Sequence, residues 1–377
     1  MDIISILFFF IGCFLLSYLE RHFSFPYYRW FFIIPFSALV AFRSLNVPDT
    51  VFYVNYYIAE DTDFSYFVDY GYEVGFQFFT KLIKSIVGEN YQLYFAIITL
   101  INSSLIFNAV NRINKIQQEE CRLLSDSDSS LSTEHYSFFS IILLTLYVAY
   151  FGLYFNSIIL RVGIAFSLIV FAVSFALKTD KKLLDYIVVF LFMVLSVLFH
   201  TTAILGFIII FVVLFSKKQS FKFYLILLLA IAVFYFLNLT SKLGGVVFNA
   251  IISLNAFTLL SDKLSNYEGS QSLFAAEGIS MKFVFYWLMS FILLFNDNLS
   301  KSYYKLFNVY ILGLAVFAVL RSVLLVERVT DYFLLFSFVL FYLYLIKQKS
   351  VKFWSYYVLI VLLQVVFALR IINGVSV

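Results

Sequence analysis

The residues best suited to chemistry in this sequence are carboxylates interleaved with aromatic rings in the stretch 43–88. Asp49, Glu60, Asp61, Asp63, Asp69 and Glu73 lie there among tyrosines and phenylalanines that include Tyr53. Carboxylates accept hydrogen bonds from hydroxyl groups, and flat rings pack against C–H faces. This composition favours a sugar ligand.

Three residues are candidates for moving a proton. Asp49 follows Pro48 and precedes Thr50, so it either caps a helix over 50–58 or acts as general base on a sugar hydroxyl. His200 is the only histidine within the hydrophobic body of the chain. It either bonds a backbone carbonyl at a hairpin tip or acts as the base, for which a neutral ring near pH 7 is suitable. Glu73 is held in reserve for the same role.

Four arginines are expected at the outer ends of hydrophobic segments: Arg43, Arg161, Arg321 and Arg328. A charge inside such a segment is costly and usually marks a site, although Arg161 could instead snorkel or pair with a remote acid. Arg321 and Arg328 have Glu327 and Asp331 close in sequence as alternative partners. Guanidinium groups match phosphate geometry, so several at one surface suggest a lipid-linked phosphate or pyrophosphate ligand.

Other motifs narrow the reaction class. Asp61-Thr62-Asp63 is a lone DxD triplet, which is weak evidence for a cation, and we predict no metal site. The sequence has no Walker A loop, no glycine-rich dinucleotide turn and no HExxH motif. We therefore predict no cofactor, and the energy for any reaction must come from the substrate or an ion gradient.

The hydropathy of the chain predicts an all-α, polytopic integral membrane protein. Of 377 residues, 63% are hydrophobic and 13% charged, whereas soluble domains contain about 25% charged residues. Segments long enough to cross a bilayer recur along the chain, and we predict one domain, 1–377, with about twelve spans. The predicted spans are 3–19, 30–42, 91–110, 136–155, 158–177, 183–199, 201–215, 221–239, 281–295, 303–320, 329–346 and 353–372.

Basic residues give the predicted orientation. Sixteen of the 26 lysines and arginines fall in short loops and in the linker 111–135, which we place inside the cell by the positive-inside rule. The loops 43–90 and 240–280 then lie outside, and the basic residues report topology rather than nucleic-acid binding. Within the first loop, a 3.6-residue period over 73–87 predicts a short amphipathic helix lying on the surface.

Four segments resemble the EpsG-like and Wzy polymerases of bacterial exopolysaccharide and O-antigen synthesis. RSLNVPDTVFYVNYY with YGYEVGFQFFTKLI is similar to the family's first large outer loop, SIILRVGIAFSLIVFAVSF to a helix with an arginine near its start, SVLFHTTAIL to a histidine hairpin, and ERVTDYFLLF to a late span. The chain departs from the family pattern at Pro48, where glycine is common, and at Val162, where glutamine is frequent.

The resemblance implies a GT-C-like glycosyltransferase at the periplasmic face of the bacterial inner membrane. Such an enzyme transfers a growing glycan from undecaprenyl pyrophosphate onto the non-reducing-end sugar of a lipid-linked repeat unit. Its implied partners are these lipid-linked glycans, membrane lipid and a chain-length regulator, with no nucleic acid. A flippase or other transporter and an O-antigen ligase are the alternatives.

The resemblance also implies roles for individual residues. Arg161 and Arg328 would neutralise the departing pyrophosphate, with Arg43 and Arg321 in support. Asp49 or His200 would accept the proton of the acceptor hydroxyl. Asn156 would orient Arg161, while Tyr53 and Tyr332 would orient substrate.

Overall fold

A computed structural model describes residues 3–23, 27–59, 72–125, 138–238, 278–295, 300–321 and 326–373, and every regular element in these ranges is helical. The helices are α1 Ile3–His22, α2 Tyr28–Ala41, α3 Thr50–Ile58, α4 Val74–Val87, α5 Tyr91–Ser125, α6 Ser140–Tyr147, α7 Leu153–Ser157, α8 Leu160–Ala176, α9 Leu183–Phe199, α10 Leu205–Phe215, α11 Phe221–Phe236, α12 Met281–Leu294, α13 Lys301–Val319, α14 Val326–Leu334, α15 Ser337–Leu345 and α16 Ser350–Ile372.

The apolar helices identify a membrane protein. In the described ranges, five helical segments are long and apolar enough to cross a bilayer, and α14 with α15 makes a sixth if this pair, bent by 40°, is one span. Six shorter apolar helices lie at the positions of the remaining predicted spans. The all-helical prediction is confirmed for the described residues, while twelve crossings and GT-C-like architecture stay predictions.

The helices form two compact units, which we describe separately. The first contains Met1–Phe215, Ser300–Tyr303 and Phe338–Val377. At its centre is α8, which packs most extensively against α9 and α5. Most α8 side chains are buried, and they are apolar on nearly all sides, as expected for a helix enclosed by others rather than facing lipid along one side. This helix carries Arg161 in its first turn.

Carboxylates from other helices complete two helix starts in the first unit. Glu20 accepts hydrogen bonds from the backbone N–H groups of Ser140 (2.6 Å) and Ile141 (2.8 Å) at the start of α6. Glu120 accepts from the N–H of Ser302 (3.0 Å) near the start of α13. The first N–H groups of a helix lack intrahelical partners and favour negative charge, so these contacts fix where α6 and α13 begin.

A π-helical turn, Val148–Gly152, joins α6 to α7 within the buried interior. This turn closes i→i+5 hydrogen bonds and therefore contains one residue more than an α-helical turn. The short helix α7 then carries Asn156 and ends just before the start of α8. The π turn thus holds the extra residue of this span ahead of Asn156.

The predicted outer segment 43–90 folds into two helices where it is described. The amphipathic helix is confirmed as α4, and the predicted break at His200 is confirmed between α9 and the short 3₁₀ turn Thr201–Ile204. Asp49 precedes α3 but makes no capping hydrogen bond, so the capping interpretation is wrong. The DxD triplet, 240–277 and 126–135 lie outside the described residues.

The second unit contains Ser216–Leu299 and Tyr304–Ser337. Two serines cap its helices: the hydroxyl oxygen of Ser220 accepts from the N–H of Phe223 at the start of α11 (3.2 Å), and Ser280 does the same for Phe283 in α12 (3.4 Å). A side-chain oxygen at this position satisfies an otherwise unpaired helix donor. The prediction that residues 1–377 form one domain stays a prediction.

Candidate functional site

Three predicted site residues that are far apart in sequence meet in the first unit. Glu73 accepts a hydrogen bond at Oε2 from Arg161 Nη1 (2.6 Å) and at Oε1 from His200 Nδ1 (3.1 Å). The backbone N–H of Thr201 also donates to Glu73 Oε1 (3.2 Å). Arg161 is therefore paired with an acid that is remote in sequence, which was one of the two structural interpretations given for it, the other being snorkelling. The carboxylate bridges a cation and an imidazole.

The helices bring these side chains together through their ends. Glu73 directly precedes α4, Arg161 is the second residue of α8, and His200 follows the last residue of α9. The helices α4 and α9 can approach because residue 75 is glycine: a Cβ there would lie 2.7 Å from the carbonyl oxygen of Leu198. Sequence reasoning missed Gly75, although a glycine inside a helical pattern signals close backbone approach.

Glu73 is ionised in this arrangement. Burial alone would raise the pKa of its carboxyl group, but the hydrogen bond from His200 and the charge of Arg161 outweigh burial, and the pKa is lowered below its usual range. The side chain of Glu73 is 9% exposed and that of Arg161 is 20% exposed. The pair is therefore largely shielded from solvent, although the Arg161 side chain keeps part of its surface exposed.

Aromatic rings form one wall of the site. The guanidinium carbon of Arg161 lies 4.5 Å from the ring centroid of Tyr72, within the range of a cation–π interaction. Tyr72 stacks on Tyr53 with centroids 6.2 Å apart and ring planes 9° from parallel. The phenol of Tyr53 lies beside Arg161; burial raises the pKa of this phenol, and the arginine partly offsets that effect. Tyr72 was not among the predicted site residues.

Asp49 lies next to this wall with an unusual backbone. Its φ of 60° is in the left-handed region, which costs a non-glycine residue on the order of 1 kcal/mol or more. Its carboxylate is close enough to Tyr53 to raise the pKa of that phenol. Strain at a residue beside a charged cluster is typical of functional sites.

Arg43 and Asn156 are both buried in the first unit and contact each other. Arg43 donates from Nε to Thr50 Oγ1 (3.0 Å) and from Nη1 to the backbone oxygen of Asn156 (3.3 Å), and its guanidinium carbon lies 3.5 Å from the ring centroid of Phe95. The side chain of Asn156 bonds Asn102 (2.9 Å) and the Gly152 carbonyl (2.8 Å). Among the described contacts, Asn156 therefore supports Arg43 rather than Arg161.

The remaining predicted residues belong to the second unit. Arg321 donates to the carbonyl oxygens of Tyr235 and Gly278, Tyr332 is buried, and Arg328 is exposed on α14. The substrate roles assigned to all these residues stay predictions.

Lys282 is a charged residue that sequence reasoning missed. It is fully buried at the start of α12, with its ammonium 2.7 Å from Asp331 and 3.8 Å from Glu327. Both acids that were considered as partners for the neighbouring arginines thus pair with this lysine. The sequence did contain a signal for a shared basic partner, because Glu327 and Asp331 are four residues apart and therefore lie on one face of a helix.

Comparison with known proteins identifies a family. The model of the EpsG family matches residues 26–375, which is nearly the whole chain and includes every residue of the site. No curated protein and no solved structure matches the chain. The chain belongs to the EpsG family of membrane proteins.

Proposed function

We propose that this protein is a polysaccharide polymerase. It transfers a growing glycan from undecaprenyl pyrophosphate onto the non-reducing-end sugar of a lipid-linked repeat unit, at the periplasmic face of the bacterial inner membrane. Membership of the EpsG family supports a polymerase-like membrane protein. The observation that carries the proposal is the bridge of Glu73 between Arg161 and His200, because it joins an anion-binding group to a base.

Arg161 is the group suited to the pyrophosphate. Glu73 occupies Nη1, while Nε makes no hydrogen bond within the described part of the chain. The guanidinium is thus held at one end, and a phosphate oxygen that entered the site would give the buried Nε the charge-assisted hydrogen bond that it lacks. As the bond between the anomeric carbon and the pyrophosphate breaks, negative charge grows on the leaving oxygen. A fixed cation stabilises that charge electrostatically.

His200 is the group suited to the proton. A carboxylate at Nδ1 favours the tautomer in which Nδ1 carries the hydrogen and Nε2 is the basic nitrogen. In the proposed step, the acceptor hydroxyl oxygen bonds to the anomeric carbon and His200 takes the hydroxyl proton. Undecaprenyl pyrophosphate leaves, and its charge is neutralised by Arg161. Glu73 holds both groups and is a positioning residue.

Asp49 is the second candidate for the base. Its left-handed backbone and its position beside Tyr53 support this role, because a strained residue is retained where it serves a site. Asp49→Asn and His200→Gln distinguish the two. The variant that lacks the true base should lose the rise in rate with pH on the acidic limb of the pH–rate profile, while the profile of the other variant should keep its shape.

Reconstituted protein tests the function directly. Vesicles containing the purified protein and a radiolabelled lipid-linked repeat unit should yield products that increase in length by whole repeats, without any nucleotide sugar. Arg161→Ala should abolish this ladder, and Arg370→Ala, an exposed arginine at the end of α16, should preserve it. Transbilayer movement of the repeat unit without elongation would instead indicate a flippase. Transfer to lipid A core alone would indicate a ligase.

A further inference from the structure

The amphipathic helix α4 leaves an apolar stripe uncovered. Val74, Phe78, Leu82 and Ile86 follow one another at four-residue intervals, and each is between 47% and 73% exposed. The opposite side of the helix is buried against the first unit through Phe76, Thr80 and Ile83. The helix is therefore held by one face and presents a second apolar face outward. We call Val74, Phe78, Leu82 and Ile86 the α4 stripe.

The α4 stripe continues an apolar surface that belongs to a membrane helix. Gly75 lies against the backbone of Leu198, and Phe79 packs edge-on against Phe199 with centroids 5.5 Å apart, so α4 adjoins the end of α9. The exposed side of α9 is apolar along its length: Leu183, Leu184, Ile187, Phe190, Leu191, Val194, Leu195 and Leu198 are all uncovered. Hydrocarbon is the surroundings in which such a helix is stable, and α4 begins where this side ends.

Ser85 is the one polar residue within the α4 stripe, and its hydroxyl is bonded to the carbonyl oxygen of Leu82 (2.8 Å); the other polar and charged side chains of α4 lie beside or off the stripe. Lys84 turns back to the carbonyl oxygens of Ile58 and Ala59 (3.4 and 3.3 Å), and Gln77 donates to the Tyr72 carbonyl (2.6 Å). Lys81 falls at one edge of the stripe by helical geometry. An apolar face with a lysine at its edge is typical of a helix that lies in the membrane interface.

A second copy of the chain fits this face less well than lipid. A stable protein interface buries about 800 Å² on each partner, and four side chains of one short helix supply much less. We propose that the α4 stripe is seated in the lipid bilayer, at the boundary between headgroups and acyl chains. Because Glu73 directly precedes α4, this lipid contact holds its carboxylate against Arg161 and His200. The positioning of Glu73 rests on the proposed function, whereas the lipid contact of the α4 stripe does not.

Depth-dependent quenching tests the lipid contact without any substrate. The chain has two cysteines, Cys13 and Cys121, and replacing both gives a background for single cysteines at positions 78, 82 and 86. Positions 89 and 90, which are exposed beyond the end of α4, are the controls. Each is labelled with bimane, and the protein is reconstituted into phosphatidylethanolamine–phosphatidylglycerol vesicles.

Doxyl-labelled lipids should quench the three stripe positions at least threefold more than the two controls, and aqueous iodide should show the reverse order. Equal iodide quenching at positions 82 and 89 would place the stripe in water and overturn the proposal. Protection of the stripe from both quenchers would indicate protein contact, such as a second copy, and would overturn it too. Failure of the polymerase assay leaves these outcomes unaffected.

A pair of variants then tests the link to the site. Leu82→Gln with Ile86→Gln should weaken the lipid contact and lower the elongation rate at least tenfold, whereas Leu82→Met with Ile86→Leu should retain the rate. Loss of lipid quenching with an unchanged rate would refute the positioning of Glu73 by lipid.

Discussion

Gly75→Ala adds one methyl group at the point where α4 meets α9. The added Cβ would lie 2.7 Å from the Leu198 carbonyl oxygen and 2.9 Å from its carbonyl carbon. Both are backbone atoms, so no side chain can rotate away to make room. Ordinary contact begins near 3.4 Å, and α4 must therefore shift by about 0.7 Å relative to the end of α9.

Such a shift is large enough to break contacts at the site. The bonds to Glu73 from His200 and from the Thr201 N–H are 3.1 and 3.2 Å long, and 0.7 Å more carries both beyond hydrogen-bonding distance. A hydrogen bond to a charged group contributes about 1.5–3 kcal/mol, and misplacing a catalytic group by about 1 Å can cost ~100-fold in rate. We expect the elongation rate of Gly75→Ala to fall about 10- to 100-fold. Overpacking should also lower the free energy of unfolding by about 1–3 kcal/mol.

The assay is elongation of radiolabelled repeats in vesicles, with the melting temperature in detergent measured alongside. Gly12→Ala is the matched control, because a Cβ at Gly12 meets nothing within 4 Å. In an α-helix this change should be neutral or stabilising by up to about 1 kcal/mol. A Gly75→Ala variant that elongates within twofold of the wild-type rate would refute the reasoning. So would equal impairment of both variants.

Three further predictions concern charge. Arg161→Lys keeps the charge but loses the planar fork that bonds Glu73 and a phosphate oxygen at the same time, so the elongation rate should fall about 100-fold or more; a wild-type rate would show that charge alone suffices and contradict this role of the fork. The folded-state pKa of Glu73 is lowered, so its stabilisation is present above the unfolded value of about 4.3 and lost as pH falls below it. Unfolding of Glu73→Gln between pH 3 and 7 should lack that acid-dependent loss, and an identical pH dependence would count against the pair. Lys282→Met removes the ammonium that neutralises Asp331 and Glu327 and should destabilise the protein by about 3–5 kcal/mol. Lys282→Met with Asp331→Leu should recover much of the loss, and calorimetry that shows no recovery would contradict the pairing.

The sequence predicts the helices of this protein better than their contacts. Lysines on both sides of 183–215 indicate two helices meeting at His200, and a 3.6-residue period predicts α4; both are confirmed. These signals are local, since they depend on side chains within one or two helical turns. The predicted list of candidates likewise contained Glu73, Arg161 and His200.

The contacts between side chains on different helices could not be predicted in the same way. Arg161 lies 88 positions from Glu73, and no spacing rule connects residues on separate helices. Asp49 illustrates a second limit: a Pro-Asp-Thr sequence is typical of a helix cap, but the backbone at Asp49 is left-handed and no cap forms. Lys282 illustrates a third, because a lysine at the end of a predicted span is usually interpreted as a topology signal, whereas this one is buried between two acids.

The π turn at Val148–Gly152 places one extra residue in the span that α6 and α7 form. Deleting that residue would close the turn to a regular α-helix and leave the following side chains in nearly the same direction, because the wider turn holds the extra residue within one revolution. Asn156 would still face Asn102, and its backbone oxygen would still accept from Arg43. A deletion in the regular turns of α6, with the π turn kept, would instead rotate the two sides of the span relative to each other by about 100°. Loss of a single residue should therefore be tolerated at the π turn and not in the rest of α6.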